Sequence, residues 1–416
     1  MTEERNVRFT NWSGSLSFTA SRQHAPQTEE EVASLVRRAA QRGAVVRPVG
    51  SGHSSTPLVE TSDELLSLDN MRGVVAVDKD ARQVTVLPGT GLADLGEALA
   101  DAGLAMENLG DVDYQAIAGA IGTGTHGTGE RLGNLSSTLV GGRLVTGTGE
   151  IVPFGVDAGE AHDSELTRAA QVSLGALGVL TSLTLRVRPA YELHRHNVMT
   201  HIDWVLDHFD ELAASYRHVD FYWYPRSDRA QVRVLDEPGG LERGGSLDDL
   251  RMNGRLKREE RGPSYEIIPN AREIEFDEME YMLPREAGLA AFREVRDRVK
   301  TKHRANVAWR LLVRTIAPDR GMLSTAFERE TLTIALLQNT TLDYRAYFED
   351  VEPIFLRHGG RPHWGKKHTR AAEELGRMYP HWDRFLQLRR ELDPDGVFLN
   401  DYLRSVLGEE GARDDQ

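Results

Sequence analysis

The residues of this chain best suited to chemistry sit among glycines. The stretch Arg47-Pro48-Val49-Gly50-Ser51-Gly52-His53-Ser54-Ser55-Thr56 places an imidazole after two glycines, at the end of an apolar run. Neutral imidazole is a competent nucleophile. Gly50 and Gly52 would let the backbone pass close to a flat group. A second segment, AGAIGTGTHGTG (Ala118 to Gly129), contains a literal G-x-G-x-x-G from Gly122 to Gly127. A nicotinamide-dinucleotide site would need a strand before it, a helix from its last glycine and an acidic residue roughly 20 positions on. The following ERLGNLSSTLVGG has no helical periodicity. What the segment does supply is backbone N–H groups and hydroxyls, a nest for an anionic diphosphate. A third such segment is SLGALGVLTS, Ser173 to Ser182. Each alone reads equally well as a structural turn. Three in one domain point to one extended ligand carrying a diphosphate.

The elements that must position these segments belong to a chain of 416 residues, long enough for two domains and possible for three. It is 40% hydrophobic and 27% charged, as expected of a globular protein. The net charge of −14 argues against a nucleic-acid partner and against a polybasic membrane-surface protein. There is no cysteine, which excludes disulfides, thiolate catalysis and cysteine-based zinc or iron–sulfur sites; no metal is assigned. No apolar run has the length of a membrane span, and the N-terminus lacks the apolar core of a secretory signal. The expectation is a cytoplasmic protein without stable membrane insertion, of unassigned oligomeric state, with GEEGARDDQ as a solvated tail.

Thr28 with Glu31 predicts a capped helix whose apolar residues are Val32, Leu35, Val36 and Ala39. The stretch 44–50 reads as a buried strand, 74–89 and 141–154 as hairpins, 91–104 as an amphipathic helix and 177–189 as a strand. After about residue 190 the character changes. An aromatic strand (218–228), a long loop (235–270) and an alternating strand (273–284) are predicted. A helix (285–302), two strands (307–317 and 330–340) and a helix (344–360) follow. The final piece, with RPHWGKKHT and LDPDGVFLNDYL, reads as neither strand nor simple helix, and is expected to return to the first domain. The divisions are 1–190, 191–355 and 356–416.

VGSGHSST, then ENLGDVDYQAIAGAIGTGTHGTG (107–129), then SLGALGVLTSL closely resemble the FAD-binding domain of the vanillyl-alcohol oxidase superfamily. DFYWYP, RPHWGKKHT and LDPDGVFLNDYL are similar to its sugar-1,4-lactone oxidase and alditol oxidase branch. The resemblance implies an α+β, two-domain fold: an FAD-binding PCMH-type domain and a separate α+β substrate (cap) domain. It implies an oxidase that takes hydride from a secondary alcohol, with an aldono-1,4-lactone as substrate and dioxygen as acceptor. Alternatives are an alditol or less polar alcohol, or a dehydrogenase with another acceptor. By resemblance, His53 forms a covalent bond to the flavin; a non-covalent neighbour is the bland alternative. Val49, Gly50, Ser51, Gly52, Ser54 and Ser55 would flank the flavin. The diphosphate loop falls on Gly119, Ala120, Gly122, Thr123 and Thr125, and the adenine side on Gly178 and Val179. Asp111 would face the ring region. Gly110 takes the position where a larger residue obstructs dioxygen.

On the substrate side, Lys366 resembles the family lysine beside flavin and substrate hydroxyl, with His363 near the flavin. Arg314 resembles the arginine of an acid–x–arginine motif, whose acid is replaced here by Leu312. Two registers stay open, because a different register would make Arg310 the arginine. The loss of a carboxylate suggests either a less polar substrate or other grips. The candidates for these are Asp111, Tyr222, Tyr224 and Gln338.

Overall fold

The computed structural model describes residues 2–241, 245–271, 274–307 and 309–409. Residues 273 and 308 of two expected strands, residues 242–244 of the expected long loop, and the tail beyond Glu409 lie outside them. The N-terminal part holds two main sheets. In the first the spatial order is Thr2–Thr10, Ser17–Ala25, Glu64–Ser67, Val46–Val49. Strand Val46–Val49 runs parallel to Glu64–Ser67 and ends at the glycine–histidine segment. Helix Glu29–Ala40 is capped as its sequence predicts: Thr28 Oγ1 accepts from Glu31 N–H at 3.3 Å. Glu31 reaches back to Gln27 N–H at 2.9 Å, one residue earlier than a capping box requires. Its apolar face packs on Val46, Leu66, Val145 and Val179. The second sheet is antiparallel and contains both expected hairpins, in the order Val74–Asp78, Gln83–Val86, Val179–Arg186, Leu139–Val145, Ile151–Gly155.

The second part is built on an eight-stranded antiparallel sheet. Its spatial order is Arg255–Pro263, Glu192–His201, Arg229–Asp236, His218–Tyr224, Leu311–Ile316, Thr331–Asn339, Phe276–Pro284, Arg361–Pro362. Strand alternation gives it two different faces. One buries Phe209, Phe221, Trp223, Tyr281, Phe292 and Phe355 under helices Ile202–Ser215, Arg285–Arg298 and Arg345–Arg357. The other turns Tyr222, Leu312, Ala335, Leu337 and Phe276 toward the N-terminal part, against Trp12. On that face Tyr222 opposes Leu312, Leu312 opposes Ala335, and Ala335 opposes Glu280, so four strands contribute one row.

Two expectations change. The stretch 235–270 is not one long loop: it holds helix Ser246–Met252, strand Arg255–Pro263 and the short helix Ser264–Ile267. That strand, RLKREERGP, lacks apolar alternation because it is a largely exposed edge strand, where charge is the usual protection. The C-terminal piece also has helices, at Ala372–Met378, Trp382–Leu392 and Asp401–Leu407. It first pairs with the large sheet, Pro362 opposite Tyr281, and then crosses to the N-terminal part, where Val46 N–H donates to Val397 O at 2.8 Å.

Candidate functional site

Two clefts adjoin, sharing His53, Ser54, Gln115 and Thr123. The first, about 950 Å³ with its mouth, runs along the backbone of all three glycine-rich segments. Val49, Gly50, Ser51, Gly52, His53 and Ser54 form one wall, Gly119, Ala120, Gly122 and Thr123 a second, and Leu174, Gly175 and Gly178 lie at one end. A side chain on Gly119 would meet nothing within 4 Å, so this glycine leaves room on the cleft wall. Gly178 is required for another reason: a β-carbon there would fall 2.5 Å from Val145 O. The glycines flanking His53 do not act as expected. A β-carbon on Gly50 would press to 2.8 Å from Ala116 Cβ, and Gly52 adopts φ +67° with Phe9 Cζ at 2.8 Å from its missing β-carbon. Each lets the loop fold closely against the protein on one side while its backbone lines the first cleft. His53 itself stands between aromatic rings, 5.0 Å from Trp12 and 5.2 Å from Tyr114 between centroids.

The loop is fixed from behind. Arg47, fully buried, donates to the carbonyls of Leu58 (2.7 Å), Leu174 (2.9 Å) and Gly175 (3.0 Å), and also to Phe398 O. Burial pushes its guanidinium down to about 9, against the opposing pull of Asp393, so it stays charged at neutral pH. The His53 loop is also tied to the HWGK segment. Ser55 N–H donates to Gly365 O, and Thr56 Oγ1 donates to Trp364 O, both at 2.8 Å.

The second cleft, about 620 Å³ with its mouth, is lined by ionisable groups: Asp111, Glu278, Glu280, Arg314, Lys366, His126 and His363. Leu312, Leu337, Phe276 and Val112 supply the apolar part. Backbone bonds clamp the HWGK segment onto strand Phe276–Pro284: His363 N–H donates to Glu280 O and Lys367 N–H to Glu278 O, both at 2.9 Å. Lys366 Nζ pairs with Glu278 Oε2. Arg314 Nη2 pairs with Glu280 Oε1 at 2.6 Å, and Nη1 donates to His126 O at 3.1 Å. Thr333 Oγ1 donates to the same Glu280 oxygen at 2.9 Å. Burial pushes the Glu280 carboxyl up, but Arg314 and His126 outweigh it and hold it well below the usual carboxylate range. Burial first, then Arg314, lowers His126; burial pushes His363 well down, although Glu280 pulls the other way. Asp111 is held by Tyr222 OH at 2.6 Å, by Arg233 Nη1 at 3.2 Å and by Asn270.

Of the residues singled out in the sequence, Asp111, Thr125, Arg314, His363 and Lys366 line the second cleft. Of the two candidate arginines, Arg314 is the one that reaches the cleft. Arg310 lies with its guanidinium 3.9 Å over the Tyr222 ring and lines neither cleft. Other expectations are corrected. Gln338 points to the opposite sheet face, where its Nε2 donates to Asn306 O at 3.1 Å; strand alternation puts Leu337, not Gln338, in the cleft. Tyr222 lines neither cleft but donates its OH to Asp111, and Tyr224 packs beside it. Ser55 offers its N–H to Gly365 rather than to a cleft, while Val179, its side chain buried in the core, follows Gly178 at the end of the first cleft. Gly110 lines neither cleft, and its missing β-carbon would meet Thr125 Cγ2 at 3.1 Å. Glu278, Glu280 and His126 were not singled out. The only signal for the glutamates was two acids spaced by two on an alternating strand.

A long cleft walled by backbone and open above Gly119, meeting a polar cleft at His53, fits a dinucleotide with a reactive ring at the junction. The comparisons agree. The model of the D-arabinono-1,4-lactone oxidase family matches residues 183–242 and 246–406, and that of the FAD binding domain matches residues 22–155. The chain belongs to this family. It is a flavoprotein oxidoreductase that uses FAD. It is 38% identical to an L-gulono-1,4-lactone dehydrogenase of Mycobacterium tuberculosis, over 96% of this chain and 99% of that one. An L-gulonolactone oxidase of Bos taurus is 29% identical, over 97% and 99%. Among solved structures, cholesterol oxidase from B. sterolicum superimposes with a TM-score of 0.83 at 15% identity, covering 98% of this chain and 97% of that one. That likeness establishes the shared fold. No helix among the described residues is long and apolar enough to cross a membrane.

Proposed function

We propose that the protein oxidises a secondary alcohol of an aldono-1,4-lactone, with FAD attached covalently through His53 and dioxygen as electron acceptor. Bound FAD supplies the two-electron acceptor for the substrate's hydride, and its reoxidation by dioxygen yields hydrogen peroxide. The observation that carries the substrate class is the second cleft, where three carboxylates and two cations converge beside His53. Buried hydroxyls need partners, and this set provides both acceptors and donors. Leu312 alone argued for a less polar substrate. It does line the cleft, but Glu278 and Glu280 of the neighbouring segment supply carboxylates there. Lys366 polarises the reacting hydroxyl, and Glu278, its ion-pair partner, takes the proton. Arg314 would hold a fixed positive charge in the cleft, able to stabilise negative charge on a reduced flavin bound there. The junction of the clefts at His53 supports the covalent anchor.

Acid precipitation of the purified holoenzyme tests the anchor: flavin remains in the pellet, whereas complete release into the supernatant refutes it. A panel of aldono-1,4-lactones, alditols and apolar alcohols, read by peroxide release, tests the substrate class. A second reading is a dehydrogenase. It is favoured by the name of the 38%-identical relative. Reoxidation of the reduced enzyme in air-saturated buffer separates the two; slow reoxidation without peroxide rejects the oxidase.

A further inference from the structure

Away from both clefts, three ligand atoms meet at the far edge of the large sheet. His194 and His196 are two apart on strand Glu192–His201, so their imidazoles leave the same face. Glu259 stands directly opposite His196 on the edge strand Arg255–Pro263. His194 Nε2 and His196 Nε2 are 2.9 Å apart, and they lie 3.0 and 3.3 Å from the same oxygen, Glu259 Oε1. The rings are perpendicular, at 89° with centroids 4.4 Å apart, and do not stack. Both histidines are buried, whereas the Glu259 side chain is 51% exposed.

Hydrogen bonding serves this triangle poorly. A neutral imidazole nitrogen either donates or accepts, and the two Nε2 atoms face each other as well as the carboxylate. With both ring protons on Nδ1, one cation at the centre satisfies all three ligand atoms at once. Ligand atoms bound at about 2.0–2.1 Å around a tetrahedral zinc stand about 3.3 Å apart. The observed triangle has that form, slightly contracted. The other His–Glu–His grouping, His126, Glu280 and His363, differs in kind, because Arg314 already occupies its carboxylate at 2.6 Å.

We propose that His194 Nε2, His196 Nε2 and Glu259 Oε1 bind a divalent transition-metal ion, zinc by ligand type and spacing, with the fourth position open to solvent. Two imidazoles and a carboxylate suit such an ion. The ion staples the exposed edge strand to the sheet. Arg251 acts as the counterweight. Its Nη2 donates to His196 Nδ1 at 2.8 Å, which keeps the ring proton on Nε2. Metal binding moves that proton to Nδ1 and requires Arg251 to withdraw. Arg251 lies on the surface helix Ser246–Met252 and has a second partner, Asp248 Oδ1 at 2.8 Å.

The test uses tag-free holoenzyme stripped with a chelator, loaded with Zn²⁺, desalted and assayed by elemental analysis and thermal unfolding. One zinc per chain and a raised unfolding temperature are expected. Glu259→Gln, an isosteric change at a half-exposed position, lowers zinc affinity about 10-fold or more and removes the thermal shift, with flavin content unchanged. Arg251→Ala tightens binding, and His126→Ala leaves the stoichiometry at one. No retained zinc in the wild type, undiminished binding in Glu259→Gln, or loss of the zinc in His126→Ala would each overturn the site.

Discussion

Glu280 is fully buried, and Arg314, Thr333 and His126 all converge on one of its oxygens. Replacing it by glutamine leaves the Arg314 charge buried without its partner, which costs roughly 3–5 kcal/mol for pairs of this kind. Glu280→Gln should therefore lower stability by that order in urea unfolding at pH 7. The sign with pH follows from the depressed carboxyl. Its contribution is complete above the unfolded value of about 4.3 and is lost as pH falls toward the lower folded value. The gap between wild type and Glu280→Gln should narrow below pH 4.3; a gap constant down to pH 3 contradicts the pairing. Burial pushes His126 and His363 below the ordinary imidazole value, His363 well below it, so neither is expected to titrate where a free histidine does. The rate of flavin reduction by substrate, measured from pH 5.5 to 8, should show no inflection near 6.5; a clear limb there would mean that one of the two is charged.

At the level of elements, the glycine-rich segments were legible because their composition is unusual and their chemistry is carried by backbone. The carboxylates were not legible. Strand Phe276–Pro284 reads as a common alternating strand, and alternation does not say which face meets water. Acids on such a strand ordinarily face solvent; here their face is covered by the N-terminal part, and Glu278 and Glu280 are buried. The register of Leu312 and Arg314 likewise depends on pairing with strand Thr331–Asn339, which no local pattern specifies. The glycines near the clefts separate into two kinds, and this is testable. At Gly119 a β-carbon meets nothing, so Gly119→Ala should fold normally yet purify with less flavin. At Gly178 a β-carbon collides with Val145 O, so Gly178→Ala should lose stability even without flavin. Equal effects of the two on the flavin-free protein would contradict that division.

Across the whole molecule, Arg47 joins parts far apart in sequence: its own strand, the Leu174–Gly175 turn and Phe398 of the returning C-terminal piece. The sequence reading expected that return but had no signal for what holds it, because a lone arginine in an apolar run says nothing about its partners. Arg47→Met would leave several buried carbonyls without donors, at about 1–3 kcal/mol each. Both unfolding temperature and flavin content should fall. Arg47→Lys should recover only part of the loss, since an ammonium cannot span the same fork of acceptors. Flavin content unchanged in Arg47→Met would show that the brace does not position the cleft.

The central claim is that the polar cleft presents an aldono-1,4-lactone to the bound flavin. Anaerobic stopped-flow mixing of the holoenzyme with aldono-1,4-lactones and with matched alditols, followed at the flavin absorbance band, tests it most directly. The account predicts rapid, complete bleaching by at least one lactone and slower bleaching by the alditols. Flavin that stays oxidised with every lactone, while an alditol or an apolar alcohol reduces it, would contradict the account.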